Sequence, residues 1–203
     1  MENRGQRMGR ILFWRCCWIG AALALAISGA HASSSKSGEG FRLSQTCAGC
    51  HGTAGASPGN TIPIIGGQTA AYLADSMRAY KTDERKFYVM NIIAKAFVDS
   101  EIDAISDWLS SQPWVNTETA IDSAKQAAGA ALAAACIECH GVSGKGTDLG
   151  PRIAGQPATY TVKVMGEYKA GSRGNSNAMQ MVIARTLSDE QIEALAHYYA
   201  GLR

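Results

Sequence analysis

Apolar residues recur at helical spacing in the segment that closes each half of the chain. Ile102, Ile105, Trp108 and Leu109 share one face, and so do Ile192, Leu195, Tyr198 and Tyr199. Ser188 stands three residues before Gln191, a capping-box start for the second of these helices, and Asp99 is placed to cap the first. Residues 69–82 and 157–169 carry apolar and aromatic side chains at mixed three- and four-residue spacings and predict a middle helix in each half. Residues 120–139 are rich in Ala and free of Pro, which is good helix material. Between these lie Gly-, Pro- and Ser-rich loops at 52–67 and 141–157, and Gln112-Pro113-Trp114-Val115-Asn116-Thr117 reads as the link between halves. No period-two alternation stands out. The predicted fold class is all-α.

The beginning of the chain follows a different pattern. Residues 1–10 are basic and polar, Ile11 to Ala30 is mostly apolar, and Ala30-His31-Ala32 is a small-x-small motif. This predicts a signal peptide over 1–32, cleaved after Ala32, and hence an exported, periplasmic protein. Arg15, Cys16 and Cys17 interrupt the apolar run, which falls short of the roughly 18 uninterrupted apolar residues expected of a membrane span. No later segment is long and apolar enough, so no transmembrane span is expected after cleavage.

Removing the leader changes the charge. The chain totals +2, but Arg4, Arg7, Arg10 and Arg15 against Glu2 put three positive charges into the leader and leave the rest at −1. A protein that binds nucleic acid by neutralising phosphates would be far more basic, which excludes that class. Hydrophobic residues make up 46% and charged residues 18%, which excludes a disordered polyelectrolyte. Yet Phe and Trp together number only eight, a thin supply of bulky core for 203 residues. Something besides side chains is expected to fill the interior.

The halves are copies. Cys47-Ala48-Gly49-Cys50-His51-Gly52 is matched by Cys136-Ile137-Glu138-Cys139-His140-Gly141, 89 residues on. Ile65-Gly66-Gly67-Gln68 answers Ile153-Ala154-Gly155-Gln156 at 88, as Tyr72 answers Tyr160, Tyr80-Lys81 answers Tyr168-Lys169 and Arg85 answers Arg173. Ile93-Ala94 and Ile183-Ala184, like Ile102 and Ile192, are 90 apart. The drift is what short loop insertions leave in a tandem duplication. Domains are expected at 41–114 and 120–203.

With the leader gone, only four cysteines remain, all in Cys-x-x-Cys-His. A redox dithiol would want a βαβ context, which is not visible. A zinc site would want the two pairs about 15–20 residues apart, far closer than they are. Covalent attachment of haem c fits: two thioethers fix the macrocycle and the adjacent histidine becomes the proximal iron ligand. Cys47, Cys50 and His51 are the candidates in one half, and Cys136, Cys139 and His140 in the other. Two haems would also supply the missing apolar bulk.

The far side of each iron decides its chemistry. Met90 lies 39 residues after His51, just before Ile93-Ala94, and is the candidate sixth ligand; Met77 belongs to the pattern of the middle helix. Met179 lies the same 39 residues after His140, but the Ile-Ala register points to Gln180, with Met181 on its other side. The equal interval favours Met179. His197, in the last helix, reads as a packing or surface histidine.

These motifs resemble the exported dihaem cytochromes c of the cytochrome c4 kind, over about residues 41–203. The marks are Cys47-x-x-Cys50-His51-Gly52, Ile64-Ile65-Gly66-Gly67-Gln68, Tyr80-Lys81, Met90-x-x-Ile93-Ala94, their counterparts, and Leu187-Ser188-Asp189-Glu190-Gln191-Ile192. The resemblance implies two tandem class I cytochrome c domains, covalent haem on Cys47, Cys50, Cys136 and Cys139, and iron held by His51 with Met90 and by His140 with Met179. It implies a single-electron carrier and no catalytic residues, working with redox partners such as a membrane electron-transfer complex, a terminal oxidase or a flavoprotein dehydrogenase. Val89-Met90-Asn91-Ile92-Ile93-Ala94-Lys95-Ala96-Phe97 also resembles the dihaem subunit of flavocytochrome c sulfide dehydrogenases, which accepts electrons from a flavoprotein. A peroxidase-like enzyme would require an open second haem.

Overall fold

In the computed structural model, residues 37–174 and 178–203 are described. The leader and its cleavage motif at Ala32 lie outside them. The chain divides into Met1–Glu39 and Gly40–Arg203. Of the first unit only 37–39 are described, and these are helical; the second unit holds both repeats. Among the described residues there is no strand, and no helix is long and apolar enough to cross a membrane.

Helical backbone runs over 37–51 (α1), followed by α2 (Ala70–Lys81), α3 (Tyr88–Lys95) and α4 (Asp99–Ser110). The second half repeats the order with α5 (Ser123–Leu132), α6 (Ile137–His140), α7 (Ala158–Ala170), α8 (Ala178–Thr186) and α9 (Asp189–Ala200). The Ala-rich segment expected as one helix is therefore broken. Asp122 caps α5 by accepting the N–H groups of Ala124 and Lys125 at 2.9 and 3.0 Å, and a tighter 3₁₀ turn, Ala133–Cys136, separates α5 from α6. The short helices α3 and α8 have no expected counterpart at all.

In each half the first helix crosses the last at a glycine. A Cβ on Gly40 would collide with the Ala104 carbonyl and lie 2.8 Å from Trp108 Cβ; one on Gly129 would collide with the Ala194 carbonyl and lie 2.7 Å from Tyr198 Cβ. The backbones can approach that closely only because the side chain is missing. Inward of the first crossing, Leu43, Leu73, Ala74, Phe97, Ile102, Ile105 and Leu109 form a buried cluster, with Met77 packed against it. The second cluster is smaller: Ala133, Leu195 and Tyr199.

The last helices start differently. Ser188 caps α9 as expected, its Oγ accepting the Gln191 N–H at 3.2 Å while Gln191 Oε1 accepts the Ser188 N–H at 2.9 Å. Asp99 does not cap α4. It is already the first helical residue, the cap position belongs to Val98, and the Asp99 carboxylate instead takes Lys81 Nζ at 2.7 Å. The equivalent pair, Lys169 and Asp189, meets at the same 2.7 Å.

Candidate functional site

Each Cys-x-x-Cys-His motif ends a helix. Residues at i, i+3 and i+4 share one face of a helical turn, so both sulfurs and the imidazole are offered to the same side. The helix then stops at a glycine with positive φ, Gly52 (76°) or Gly141 (77°), whose N–H returns to Ala48 O at 3.0 Å or Ile137 O at 2.8 Å. That turn sends the chain back across the histidine. Pro63 O lies 2.9 Å from His51 Nδ1, and Pro151 O lies 2.7 Å from His140 Nδ1. A backbone carbonyl can only accept, so Nδ1 carries the proton and Nε2 keeps its lone pair for a metal. Burial lowers the His51 pKa, against the opposing pull of the Pro63 carbonyl, and so favours the neutral ligand form.

The cysteines are free thiols. Burial, reinforced by neighbouring Cys50, pushes Cys47 up to about 11; burial also raises Cys136, with Tyr199 pulling the other way. A redox-active dithiol needs a lowered thiol pKa, and Cys47 has the reverse. Among the described residues no three His, Cys, Asp or Glu side chains converge as a metal site would require.

The methionine helices share a register. Ala94 and Ala184 are both fully buried, Val89 (48%) and Met179 (58%) are both exposed, and so are Ile92 (56%) and Val182 (57%). Gln180 therefore stands where Met90 stands, with Met179 at the place of Val89 and Met181 at that of Asn91. Gln180 Nε2 donates to Met165 Sδ at 3.4 Å. Asn91 Oδ1 accepts the Phe87 N–H at 2.7 Å, and its Nδ2 donates to Tyr80 O and Arg85 O at 2.7 and 2.8 Å. A methionine has no such donors, so the turn into α3 is held in a way the turn into α8 is not.

Between the halves lies a second set of paired residues. Arg85 stacks over the ring of Tyr80 at 4.4 Å and donates to Tyr160 OH at 3.4 Å, while Arg173 stacks over Tyr168 at 5.0 Å and donates to Tyr72 OH at 3.4 Å. Both guanidiniums are buried. Arg173 meets Glu167 at 2.8 Å, but Arg85 has no carboxylate within ion-pair distance among the described residues. Gln68 and Gln156 also reach across, each taking both the N–H and the C=O of one residue in the opposite half: Arg152 at 3.0 and 2.9 Å, and Ile64 at 3.0 and 2.8 Å. Sequence reasoning noticed these glutamines, arginines and tyrosines only as marks of duplication. Their signal was available: polar residues preserved in both copies, away from the cysteine motif. His197 has a structural role, its Nδ1 accepting the N–H of cap residue Asp122 at 3.2 Å.

The cytochrome c family model matches residues 37–113 and again 126–202. The chain belongs to the cytochrome c family. Cytochrome c4 from Stutzerimonas stutzeri is 30% identical to it over 206 aligned positions, taking in 91% of this chain and 97% of the relative. The crystal structure of reduced recombinant cytochrome c4 from Pseudomonas stutzeri superposes with a TM-score of 0.75 at 30% identity, over 81% of this chain and 97% of the other. A thiosulfate dehydrogenase electron acceptor from Thiomonas intermedia is 39% identical over 169 positions, 77% of this chain and 78% of its own. This cytochrome thus has two tandem class I domains, as expected, with two covalently bound haem c groups. It carries electrons and is not itself an enzyme.

Proposed function

We propose that the mature protein, cut after Ala32, works in the periplasm as a two-centre relay with domains at 41–114 and 120–203. Cys47 and Cys50, and Cys136 and Cys139, hold the two macrocycles as thioethers. His51 and His140 are the proximal ligands, Met90 is the sixth ligand of the first iron, and Met179 that of the second. The observation that carries this reading is the pair of Nδ1–carbonyl contacts at 2.9 and 2.7 Å, which present each imidazole in the ligating tautomer. Buried Arg85 supports the fit of the cofactor: a guanidinium without a carboxylate calls for an anion, and haem brings propionates. Met179 is supported by its interval from His140 and by an exposed side chain, available to a group outside the protein's own packing.

When bound, the haem supplies a one-electron Fe(III)/Fe(II) couple. The chain's own contribution is axial ligation and burial, which set the potential. Likeness to a thiosulfate dehydrogenase electron acceptor supports a partner that oxidises inorganic sulfur and hands its electrons to this cytochrome. A free shuttle between membrane complexes is the second reading, favoured by likeness to cytochrome c4.

The ligand assignment is tested with the purified holoprotein and single methionine variants. Met90→Ala and Met179→Ala are each expected to remove about half of the methionine–iron charge-transfer absorption and to open one haem to carbon monoxide, while Met181→Ala leaves both unchanged. Carbon monoxide binding in Met181→Ala and none in Met179→Ala would transfer the second ligand to Met181. Mixing the reduced dehydrogenase partner with the oxidised cytochrome, and following haem reduction in stopped flow, tests the acceptor role.

A further inference from the structure

The two glutamine clamps lie one residue beyond the carbonyls that orient the proximal histidines. Gln156, in the second domain, grips Ile64, and the preceding Pro63 carbonyl receives His51. Gln68, in the first domain, grips Arg152, and the preceding Pro151 carbonyl receives His140. Each glutamine is buried and tied to its own domain, because the N–H of the glycine before it bonds to the end of the last helix: Gly67 to Leu109 O at 2.9 Å and Gly155 to Tyr199 O at 2.8 Å. The carboxamide thus connects one domain's rigid corner to the other domain's histidine loop.

We propose that Gln68 and Gln156 are crossed positioning residues, each setting the proximal histidine of the haem in the opposite domain. The inference rests on His51 and His140 being the proximal ligands. An Nδ1–H bond to a well-placed carbonyl makes the imidazole a stronger donor and favours Fe(III). Freeing the loop weakens that bond, so the affected haem becomes easier to reduce. The effect is crossed because the clamp is crossed.

The experiment is a potentiometric titration of the intact dihaem protein, each haem followed through its own assigned hyperfine-shifted methyl resonances. Gln156→Met keeps the side-chain length and removes both hydrogen bonds. It is expected to raise the Fe(II)/Fe(III) ratio of the first haem at fixed potential at least about threefold, about 28 mV for a one-electron couple, and to leave the second haem unmoved. Gln68→Met is expected to do the reverse. A shift in the variant's own domain, equal shifts in both, or none in either overturns the proposal. Should Gln156→Met yield no holoprotein, Gln156→Glu retains the acceptor for Ile64 N–H and carries the same crossed expectation. Absence of proximal imidazole resonances from wild-type spectra would remove the ligand assignment instead, whereas their presence with an uncrossed response removes only this inference.

Discussion

The two halves agree on the proximal side of the haem and differ almost everywhere else. The histidine–proline contacts, glycine corners, helix-crossing glycines and lysine–aspartate pairs are duplicated to within 0.2 Å wherever both distances are given. The distal helix, the ion pairing of the interface arginine, the size of the buried side-chain cluster and the cap of the last helix are not. A covalent haem attachment tolerates little variation in how the sulfurs and imidazole are presented. The rest of a domain need only close around the ring, and it can do so with different side chains.

The largest expected consequence concerns the cores. The first domain buries seven hydrophobic residues in its main cluster, the second three. The second therefore leans more on its haem for apolar contact. Replacing Cys136 and Cys139 with Ala is expected to halve the haem content and unfold most of the second domain, read as a loss of helical ellipticity. Cys47→Ala with Cys50→Ala should also halve the haem but retain more helix, since clusters of this kind contribute about 1.5–3 kcal/mol per fully buried large aliphatic side chain. Equal helix loss in the two variants would show that the unequal clusters do not matter.

A smaller effect follows from Glu167, whose counterpart 88 residues earlier is Ala79. Burial alone would raise the Glu167 pKa, but Lys163 and Arg173 overcome that and hold it below the ordinary carboxylate value. A group with a depressed folded pKa stabilises the fold above its unfolded pKa and loses that contribution as pH falls through the folded value. Wild-type protein should therefore lose stability below about pH 4.5, and Glu167→Gln should be weaker by about 1–3 kcal/mol at pH 7 and lack this step. Chemical denaturation of holoprotein at pH 7 and in the acid range measures both.

Which of these features were legible in the sequence depends on how local their physics is. Cys-x-x-Cys-His and the amphipathic faces of α4 and α9 are fixed by neighbours a turn apart, and both read correctly. The helices α3 and α8 escaped because each is only two turns long and is stabilised by distant groups; Asn91 alone bonds back to Tyr80 and Arg85. The crossed glutamines are separated from their partners by 84 and 92 residues, beyond any local pattern, and only their presence in both copies marked them. The sixth ligand of the second iron remains bracketed because a one-residue slip moves a helical side chain by about 100°, and Gln180 occupies the matching place.

The smallest difference is also the cleanest, because backbone conformation is held constant. Val98 precedes α4 with φ −81° and ψ 164°, and Ser188 precedes α9 with φ −72° and ψ 165°. Both are ordinary cap geometries, and in both the third helical residue returns a side-chain oxygen to the cap N–H, Glu101 to Val98 and Gln191 to Ser188, each at 2.9 Å. Only Ser188 completes the exchange, since a valine side chain holds no acceptor for the N–H at the start of α4. Val98 is exposed, so replacing it sacrifices little burial. Val98→Ser is expected to stabilise the first domain by about 0.5–1 kcal/mol, and Ser188→Ala to weaken the second by about 1 kcal/mol. Thermal unfolding of the holoprotein variants should move the two transitions in opposite directions. A neutral Val98→Ser would mean that water already satisfies that N–H, and that the missing cap costs the first domain nothing.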